Sequence, residues 1–381
     1  MNISANNKKV CIFLPSLEKG GAEKRMTLLA IGLKKRGHDV EVVVLRQQGI
    51  FEQILDDAGV AIKTVAKQGK LDLLGATCRA RKIFKNNRYD VILSCLPSAN
   101  IFAVLVKTVN RKTPLIWGVA AADMPMNEYT LWARIGAKMQ LMLSRFANNV
   151  IVNSHKAKSV ACQQGFNQKR MHVIHNGVDT TQFFLKKQLG NKWLKKLNIP
   201  PNEKVIGIVA RLDPAKGIET FLQAVDLAFK KDWYFILFGS GSSDYANQLK
   251  KNIVSHSLYN KRLFLIENEH VDSSVYNAFD VATISSVSES FPNVMLEAMS
   301  CGVPVMSTDV GDCKAVIQAF GQIVAVNNPQ AMFDAWEIQL QNELDVVGAE
   351  VIREYVINRF SIESMVDKFE SVFSASIDVS S

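Results

Sequence analysis

Two carboxylates eight residues apart, Glu289 and Glu297, stand in the segment Ser288-Glu289-Ser290-Phe291-Pro292-Asn293-Val294-Met295-Leu296-Glu297-Ala298-Met299. Pro292 suits a first helical turn, and Leu296, Ala298 and Met299 supply an apolar face, so a helix is expected to begin near Pro292 or Asn293. Glu289 then lies in the preceding loop and Glu297 on the second turn. A loop-to-helix break lets both face one pocket, beside the free backbone N–H groups of the helix start. The same types and spacing also fit a helix-dipole partner at Glu289 and a surface carboxylate at Glu297. A second constellation is Val209-Ala210-Arg211-Leu212-Asp213-Pro214-Ala215-Lys216-Gly217, which follows a β-rich run and leads into a helix. Arg211 and Lys216 put two cations at the end of a strand, which suits a diphosphate whose leaving-group charge must be neutralised. An exposed basic turn is the alternative. The third is Glu18-Lys19-Gly20-Gly21-Ala22-Glu23, between a first strand and a helix, where glycines let backbone N–H groups approach a phosphate. Gly-Gly after a strand is equally the mark of a tight turn. The spacing is not Gly-x-Gly-x-x-Gly, and Leu45-Arg46 stands where a dinucleotide site wants an acid, so NAD is not expected.

The elements that must hold these residues read as an alternation of short β-rich runs and longer amphipathic stretches. It runs from Val10–Leu14 and Ala22–Lys35 to Tyr129–Phe146 and His172–Ile174, and restarts with Val205–Val209 and Ile218–Phe229. Such βα alternation predicts parallel, doubly wound sheets. Between the two series the pattern loosens through the Lys-rich stretch from Lys186 to Lys196 and reaches Pro200-Pro201, where a linker is expected. The domains are placed at 1–185 and 186–350, with a helical tail over 351–381 that packs back toward the first; the stretch from Gln330 to Phe373 reads as helical throughout. Two sheets of this kind put two sets of strand C-termini at a shared crevice, where ligands of such sheets bind.

Composition narrows the classes. A chain of 381 residues with 48% hydrophobic and 21% charged residues, 21 Gly and 10 Pro is neither disordered nor collagen-like and is long enough for two domains. No apolar run approaches the length of a membrane span, and Val10 to Ser16 reads as a first strand and not as a signal peptide. Cys11, Cys78, Cys95, Cys162, Cys301 and Cys313 form no Cys-x-x-Cys pair, so a reduced cytoplasmic protein without structural zinc is expected. Residues 1–180 hold 27 Lys+Arg against 12 Asp+Glu, a net of +15, which leaves 18 against 24, a net of −6, for residues 181–381. A basic first half fits nucleic acid, an anionic membrane surface or a phosphate-bearing acceptor. No nucleic-acid module or aromatic-basic interleaving is present, so nucleic acid is not expected as a partner.

Taken together these segments resemble the retaining nucleotide-sugar glycosyltransferases of family GT4, glycosyltransferase group 1. Glu289 and Glu297 around Ser-Phe-Pro-Asn look like that family's E-x7-E element, and Met299-Ser300-Cys301-Gly302-Val303-Pro304-Val305 like its continuation into the next strand. Arg211 and Lys216 match its diphosphate-binding pair, Gly20-Gly21 its glycine loop, and His175-Asn176-Gly177-Val178-Asp179 the segment before its interdomain linker. The resemblance runs from about residue 9 to about residue 325. It implies an α/β protein of the GT-B fold, with two doubly wound Rossmann-like domains facing each other across a cleft, the first binding acceptor and the second nucleotide sugar. It also implies a nucleoside-diphosphate sugar as donor, UDP-sugar foremost, whose ribose hydroxyls are accepted by Glu297. Arg211, Lys216 and the Gly20-Gly21 backbone would hold the diphosphate, and Glu289 the sugar. Backbone groups of Ser290, Phe291, Pro292, Asn293 and Val294 would position sugar and phosphate, and the Phe238-Gly239-Ser240-Gly241 turn would border the base. The implied enzyme is of the EC 2.4 class, hexosyl or N-acetylhexosaminyl, and transfers to a glycan or lipid-linked acceptor in cell-surface polysaccharide or lipopolysaccharide biosynthesis. It would retain the anomeric configuration, with the leaving phosphate accepting the proton.

Two departures stand out. Leu115-Ile116-Trp117-Gly118-Val119-Ala120-Ala121-Ala122-Asp123 offers no histidine where the family often has one, which makes Asp123 a candidate on the acceptor side, and Ser290 replaces the usual glycine. There is no Asp-x-Asp in the chain, so no metal and no other cofactor is expected. Trp132, Arg134, Lys138, Leu141, Met142 and Arg145 share one expected helix, whose mixed basic and apolar residues suggest a peripheral place at the inner face of the cell membrane. The rivals are a nucleotide-sugar epimerase, a non-catalytic nucleotide-sugar-binding partner of the same fold, and a glycosidase with paired carboxylates, which leaves Arg211 and Lys216 unexplained.

Overall fold

The computed structural model of the protein describes residues 7–47, 49–69, 72–109, 111–119, 131–342 and 346–378, with backbone only for 131–133 and 346. In chain order the elements are β1 (Lys9–Leu14), α1 (Gly21–Lys35), β2 (Asp39–Val44), α2 (Phe51–Asp57), β3 (Ala61–Thr64), α3 (Leu73–Asn86), β4 (Val91–Cys95), α4 (Pro97–Lys107), β5 (Leu115–Gly118), α5 (Leu131–Leu143), β6 (Asn149–Val152), α6 (His155–Gln163) and β7 (Met171–Val173). There follow α7 (Asn191–Lys196), β8 (Lys204–Val209), α8 (Ile218–Leu227), β9 (Trp233–Phe238), α9 (Asp244–Val254), β10 (Leu263–Ile266), α10 (Ser273–Tyr276), β11 (Val281–Ile284), α11 (Asn293–Ser300), β12 (Val305–Thr308), α12 (Cys313–Ile317), β13 (Gly321–Val324), α13 (Pro329–Gln341), α14 (Val346–Phe360) and α15 (Ile362–Asp378). They fall into two compact units, one of residues up to Gly177 together with Ile362 onward, the other Val178–Ser361.

In the first unit seven strands pair in the order β3-β2-β1-β4-β5-β6-β7, all in parallel. Both faces of the sheet are covered by helices, so β1 (KVCIFL) and β4 (VILSC) are nearly continuous apolar runs with almost every side chain buried. One face packs on α1 and α15, the other on α3, α4 and α6. Helix α15 belongs to this unit through residues such as Phe369 and Phe373 against α1. Arg25 of α1 fixes that packing: its buried guanidinium donates to Ile174 O at 2.6 Å and lies 5.1 Å from the centre of the Phe369 ring. Burial pulls its pKa down to about 10, which leaves it charged at neutral pH.

The second unit is a six-stranded parallel sheet ordered β10-β9-β8-β11-β12-β13, with cores on both faces. The stretch from Lys186 to Pro201, expected as a linker, is packed structure inside this unit. Trp193 of α7 is buried, meets Phe238 edge-on at 4.7 Å and donates from Nε1 to Ser274 Oγ at 3.0 Å. Burying about 200 Å² of indole is worth roughly 5 kcal/mol, enough to hold a short helix down. Its lysines are amphipathic covers: Lys192 and Lys196 Nζ lie 5.1 and 4.8 Å from the Trp193 ring centre. The chain therefore divides at Gly177/Val178 and again at Ser361/Ile362. Within the second unit the two crossing points adjoin, since Val178 N donates to Phe360 O at 2.8 Å and Val178 bridges to Ser361. The final helical stretch is broken as well. Helix α13 ends at Gln341, and a single residue, Ser361, separates α14 from α15, because each helix buries its apolar face in a different core.

Candidate active site

In an open parallel sheet the strand order reverses at one place, and the loops leaving the two strands there diverge and open a crevice. In the second unit this place lies between β8 and β11, in the first between β1 and β4. The residues singled out by type and spacing follow these strands.

Beyond β8 the chain makes a short 3-10 turn, Pro214–Lys216, capped by Asp213, whose Oδ1 accepts from Ala215 N at 3.0 Å. Gly217 then adopts a left-handed conformation, φ +58, to start α8. A Cβ at Gly217 would stand 2.2 Å from Ser285 O, so only glycine lets the two loops close on each other. The loop after β11 clasps this turn: Val287 N donates to Ala215 O at 2.9 Å and Ser285 Oγ to Lys216 O at 2.7 Å. From the far side, Thr308 Oγ1 at the end of β12 donates to Ser286 O at 2.6 Å. The outcome is a direct ion pair between Lys216 Nζ and Glu289 Oε1, residues 73 positions apart in sequence. Glu289 also accepts from Ser286 Oγ at 3.1 Å. Both side chains stay partly accessible, 20% for Lys216 and 16% for Glu289, so a ligand can reach the pair. Arg211 is exposed at the end of β8. The Gly239–Ser240 turn lies beside it, since Leu212 N donates to Ser240 O at 3.1 Å.

The helix expected near Pro292 or Asn293 is α11, with Pro292 as its N-cap and Asn293 and Val294 half-buried in its first turn. The start of the helix carries the partial positive charge of a helix N-terminus, and in its first turn Met295 N donates to Pro292 O at 3.3 Å. Ser290 is half-buried, and Phe291 is buried against Phe360, ring centres 6.3 Å apart, which anchors the loop before the helix. Glu297 lies on the second turn and is only 6% exposed, so it is no surface carboxylate. Its Oε2 accepts from Tyr276 OH at 2.6 Å. Burial, and then the neighbouring carboxylate, raise the Tyr276 phenol well above its ordinary value, so it stays a donor at any ordinary pH. At the other end of α11, Arg353 of α14 donates to Ser300 O at 2.7 Å and to Phe183 O and Thr180 O at 3.0 Å each. The two glutamates thus have separate partners: Glu289 is tied to Lys216, Glu297 to Tyr276.

The first unit holds Gly20 and Gly21 after β1, Gly20 as the N-cap of α1. A Cβ at Gly20 would stand 2.1 Å from Glu23 Oε2, so a first-turn carboxylate folds over the loop at the helix start. Across the switch point Leu96, N-cap of α4, has φ +77, a strained conformation for a branched side chain. Asp123 lies outside the described residues, as does the side chain of Trp132.

Sequence reasoning missed Tyr276, Ser285, Ser286, Thr308 and Arg353. None of them carried a sequence signal: Tyr276 stands among polar neighbours, Asp272, Ser273, Ser274 and Asn277, so nothing local marks its burial against Glu297.

Residues 191–368 match the family described as Glycosyl transferases group 1, and residues 19–182 match Glycosyltransferase Family 4. Among similar proteins, the UDP-Gal:alpha-D-GlcNAc-diphosphoundecaprenol alpha-1,3-galactosyltransferase of Escherichia coli is 23% identical over 313 residues, 77% of each chain. The lipopolysaccharide core biosynthesis mannosyltransferase LpsB of Rhizobium meliloti is 30% identical over 175 residues, 43% of this chain and 48% of that one. Among solved structures, Anabaena HepE in complex with UDP superposes with a TM-score of 0.84 at 20% identity, over 96% of this chain and 100% of the other. That likeness carries the fold, which is GT-B.

Proposed function

The chain belongs to the glycosyltransferase family 4, group 1, enzymes, and from that membership we propose that it moves a sugar, with retention of configuration, from a UDP-sugar to a hydroxyl of a glycan or lipid-linked acceptor in cell-surface polysaccharide biosynthesis. The carrying observation is the Lys216–Glu289 pair at the switch point of the second sheet, where a cation for the diphosphate and a carboxylate for the sugar stand in contact. The named activity of the Escherichia coli galactosyltransferase and the UDP bound to Anabaena HepE support UDP as the nucleotide.

In this reading the Lys216 ammonium turns from Glu289 to the diphosphate and, with Arg211, neutralises the charge that grows on the leaving group. The chain's own cations do this, in place of a divalent ion. Glu297, oriented by Tyr276, accepts the ribose hydroxyls. Glu289 binds sugar hydroxyls and favours the positive charge developing at the anomeric carbon, and the amides at the start of α11 orient sugar and phosphate. The acceptor oxygen bonds to the anomeric carbon on the face that the phosphate leaves, the carbon–oxygen bond to phosphate breaks, and the hydroxyl proton passes to the departing phosphate oxygen. No covalent sugar–enzyme intermediate is needed. A lipid-linked acceptor puts the work at the inner face of the cell membrane.

A thermal-shift screen against UDP, GDP, ADP and their common sugars tests the donor, since a ligand at 100 times its dissociation constant stabilises by about 2.7 kcal/mol. A selective UDP shift, lost in Glu297→Ala and Lys216→Ala and undiminished by EDTA, is expected. No shift with any nucleotide would remove the donor assignment, and inversion at the anomeric carbon, read by proton NMR of the first product, would overturn retention.

A further inference from the structure

Strand β7 is one margin of the first unit's sheet, three strands away from the β4 side of the switch point, and its outer edge is open. Ile174 N donates to Val152 O at 2.9 Å, so by the alternation of a strand Met171 and Val173 turn their backbone groups away from β6 and toward that edge. Helices α6 and α15 pack on opposite faces of the same sheet. Between them, over the edge of β7, lies an open cavity of about 550 Å³, built wholly from this unit. Its floor is apolar, made by Met171, Val173 and Ile174 with Val372 of α15. Its rim is basic. His155 and Lys158, one turn apart at the start of α6, face Lys368 of α15, and His172 of β7 stands between them. Lys158 Nζ donates to Met171 O at 3.1 Å, which spends one of its three N–H groups and holds the ammonium at the edge. The one carboxylate of the lining, Asp367, is neutralised by Arg36 at 2.6 Å. Burial, and then the positive charge of Lys158, lower the His172 pKa, the mark of a positive potential that an anion would relieve.

We propose that this cavity is a second ligand site, for a small phosphate ester whose apolar or ring body lies on the floor while its phosphate meets Lys158, Lys368 and the two histidines. The size is that of pockets which take small molecules. Two lysines and two histidines around one rim outnumber what a singly charged carboxylate uses, and they suit a dianion with several acceptor oxygens. The partial positive charge at the start of α6 adds to them, and the outward Val173 N–H offers a neutral donor. Screening of the β7 edge alone would need no more than Lys158, which already covers Met171 O. The cavity lies at the sheet margin and is built without any residue assigned to donor or sugar, so its ligand is neither.

The test is titration calorimetry on the full chain with three probes, phenyl phosphate, phenol and inorganic phosphate, each with and without saturating UDP. Phenyl phosphate should bind at least roughly ten-fold more tightly than either of its parts, because only it uses floor and rim together. UDP should leave that affinity unchanged. Lys158→Met/Lys368→Met, which keeps most of each stem and removes the charge, should weaken binding at least roughly ten-fold. Ser371→Trp, from an exposed position of α15 on the lining, should fill the cavity and abolish binding with every charge in place. Lys34→Met/Lys35→Met, exposed on α1, should bind as the wild type does. No binding of phenyl phosphate at about 10 mM, equal affinity for phenol or inorganic phosphate, wild-type binding by either cavity variant, or displacement by UDP would overturn the proposal.

Discussion

In the structure Lys216 is held by Glu289, so a diphosphate must draw the ammonium away from a carboxylate before it can use it. Replacing Glu289 with Gln keeps the shape and the hydrogen bond from Ser286 but removes the charge that detains Lys216. Bonds between charged groups contribute about 1.5–3 kcal/mol net, and the exposure of these side chains, 20% and 16%, brings the figure toward about 1 kcal/mol. Glu289→Gln should therefore bind UDP roughly five-fold more tightly by titration calorimetry. Turnover should move the opposite way. Loss of the negative charge facing the anomeric carbon should reduce kcat by about 10²-fold, the scale seen when one electrostatic group at a developing charge is removed. Lys216→Met is the companion variant, with weaker UDP binding and its backbone still fixed through the Ser285 bond. If Glu289→Gln weakens UDP binding in step with turnover, then Glu289 serves to staple the loop, and its assignment to the sugar is wrong.

Gly217→Ala should lose more stability than Gly59→Ala: both sites have positive φ, which alone costs about 1–2 kcal/mol, but only the first Cβ meets a backbone oxygen, Ser285 O, while the second finds open space. Equal losses in thermal unfolding would mean that the clasp between the two loops is not made. Tyr276→Phe leaves the buried Glu297 oxygen one donor short, which should cost about 1–3 kcal/mol, or roughly 4–8 °C in Tm at the middle of that range; an unchanged Tm by calorimetry would refute the bond. Burial pushes the Cys301 and Cys313 thiols from 9.0 up to about 12. A folded pKa above the unfolded one gives stability that is complete below about pH 9 and is lost as pH climbs toward 12. Thermal stability should hold to about pH 9 and then decline, with a shallower decline in Cys301→Ala/Cys313→Ala.

Most of the strands were legible because parallel strands covered on both faces are nearly continuous apolar runs, as Val10–Leu14 and Val205–Val209 are. The edge strands Ala61–Thr64 and Gly321–Val324 escaped, since at a sheet margin half-buried residues such as Lys63 and Gln322 suffice and the pattern dissolves. The Lys186–Lys196 stretch misled for a different reason: charge density says nothing about where lysine stems lie, and here they cover a buried tryptophan.

At the site, the sequence alone determined which residues are chemically able to act. Arg211, Lys216, Glu289 and Glu297 are marked by charge type, by their place after strands, and by a proline that starts α11 between the two acids. Those are local properties, written in neighbours a few residues away. What only the tertiary structure decided is which of them meet: that Lys216 pairs with Glu289, and that Glu297 turns to Tyr276 and is buried. Such contacts join residues 73 and 21 positions apart, fixed by the register of β8 beside β11 and by a glycine that lets two loops touch. Periodicity has no reach over such distances; closure of the sheet does.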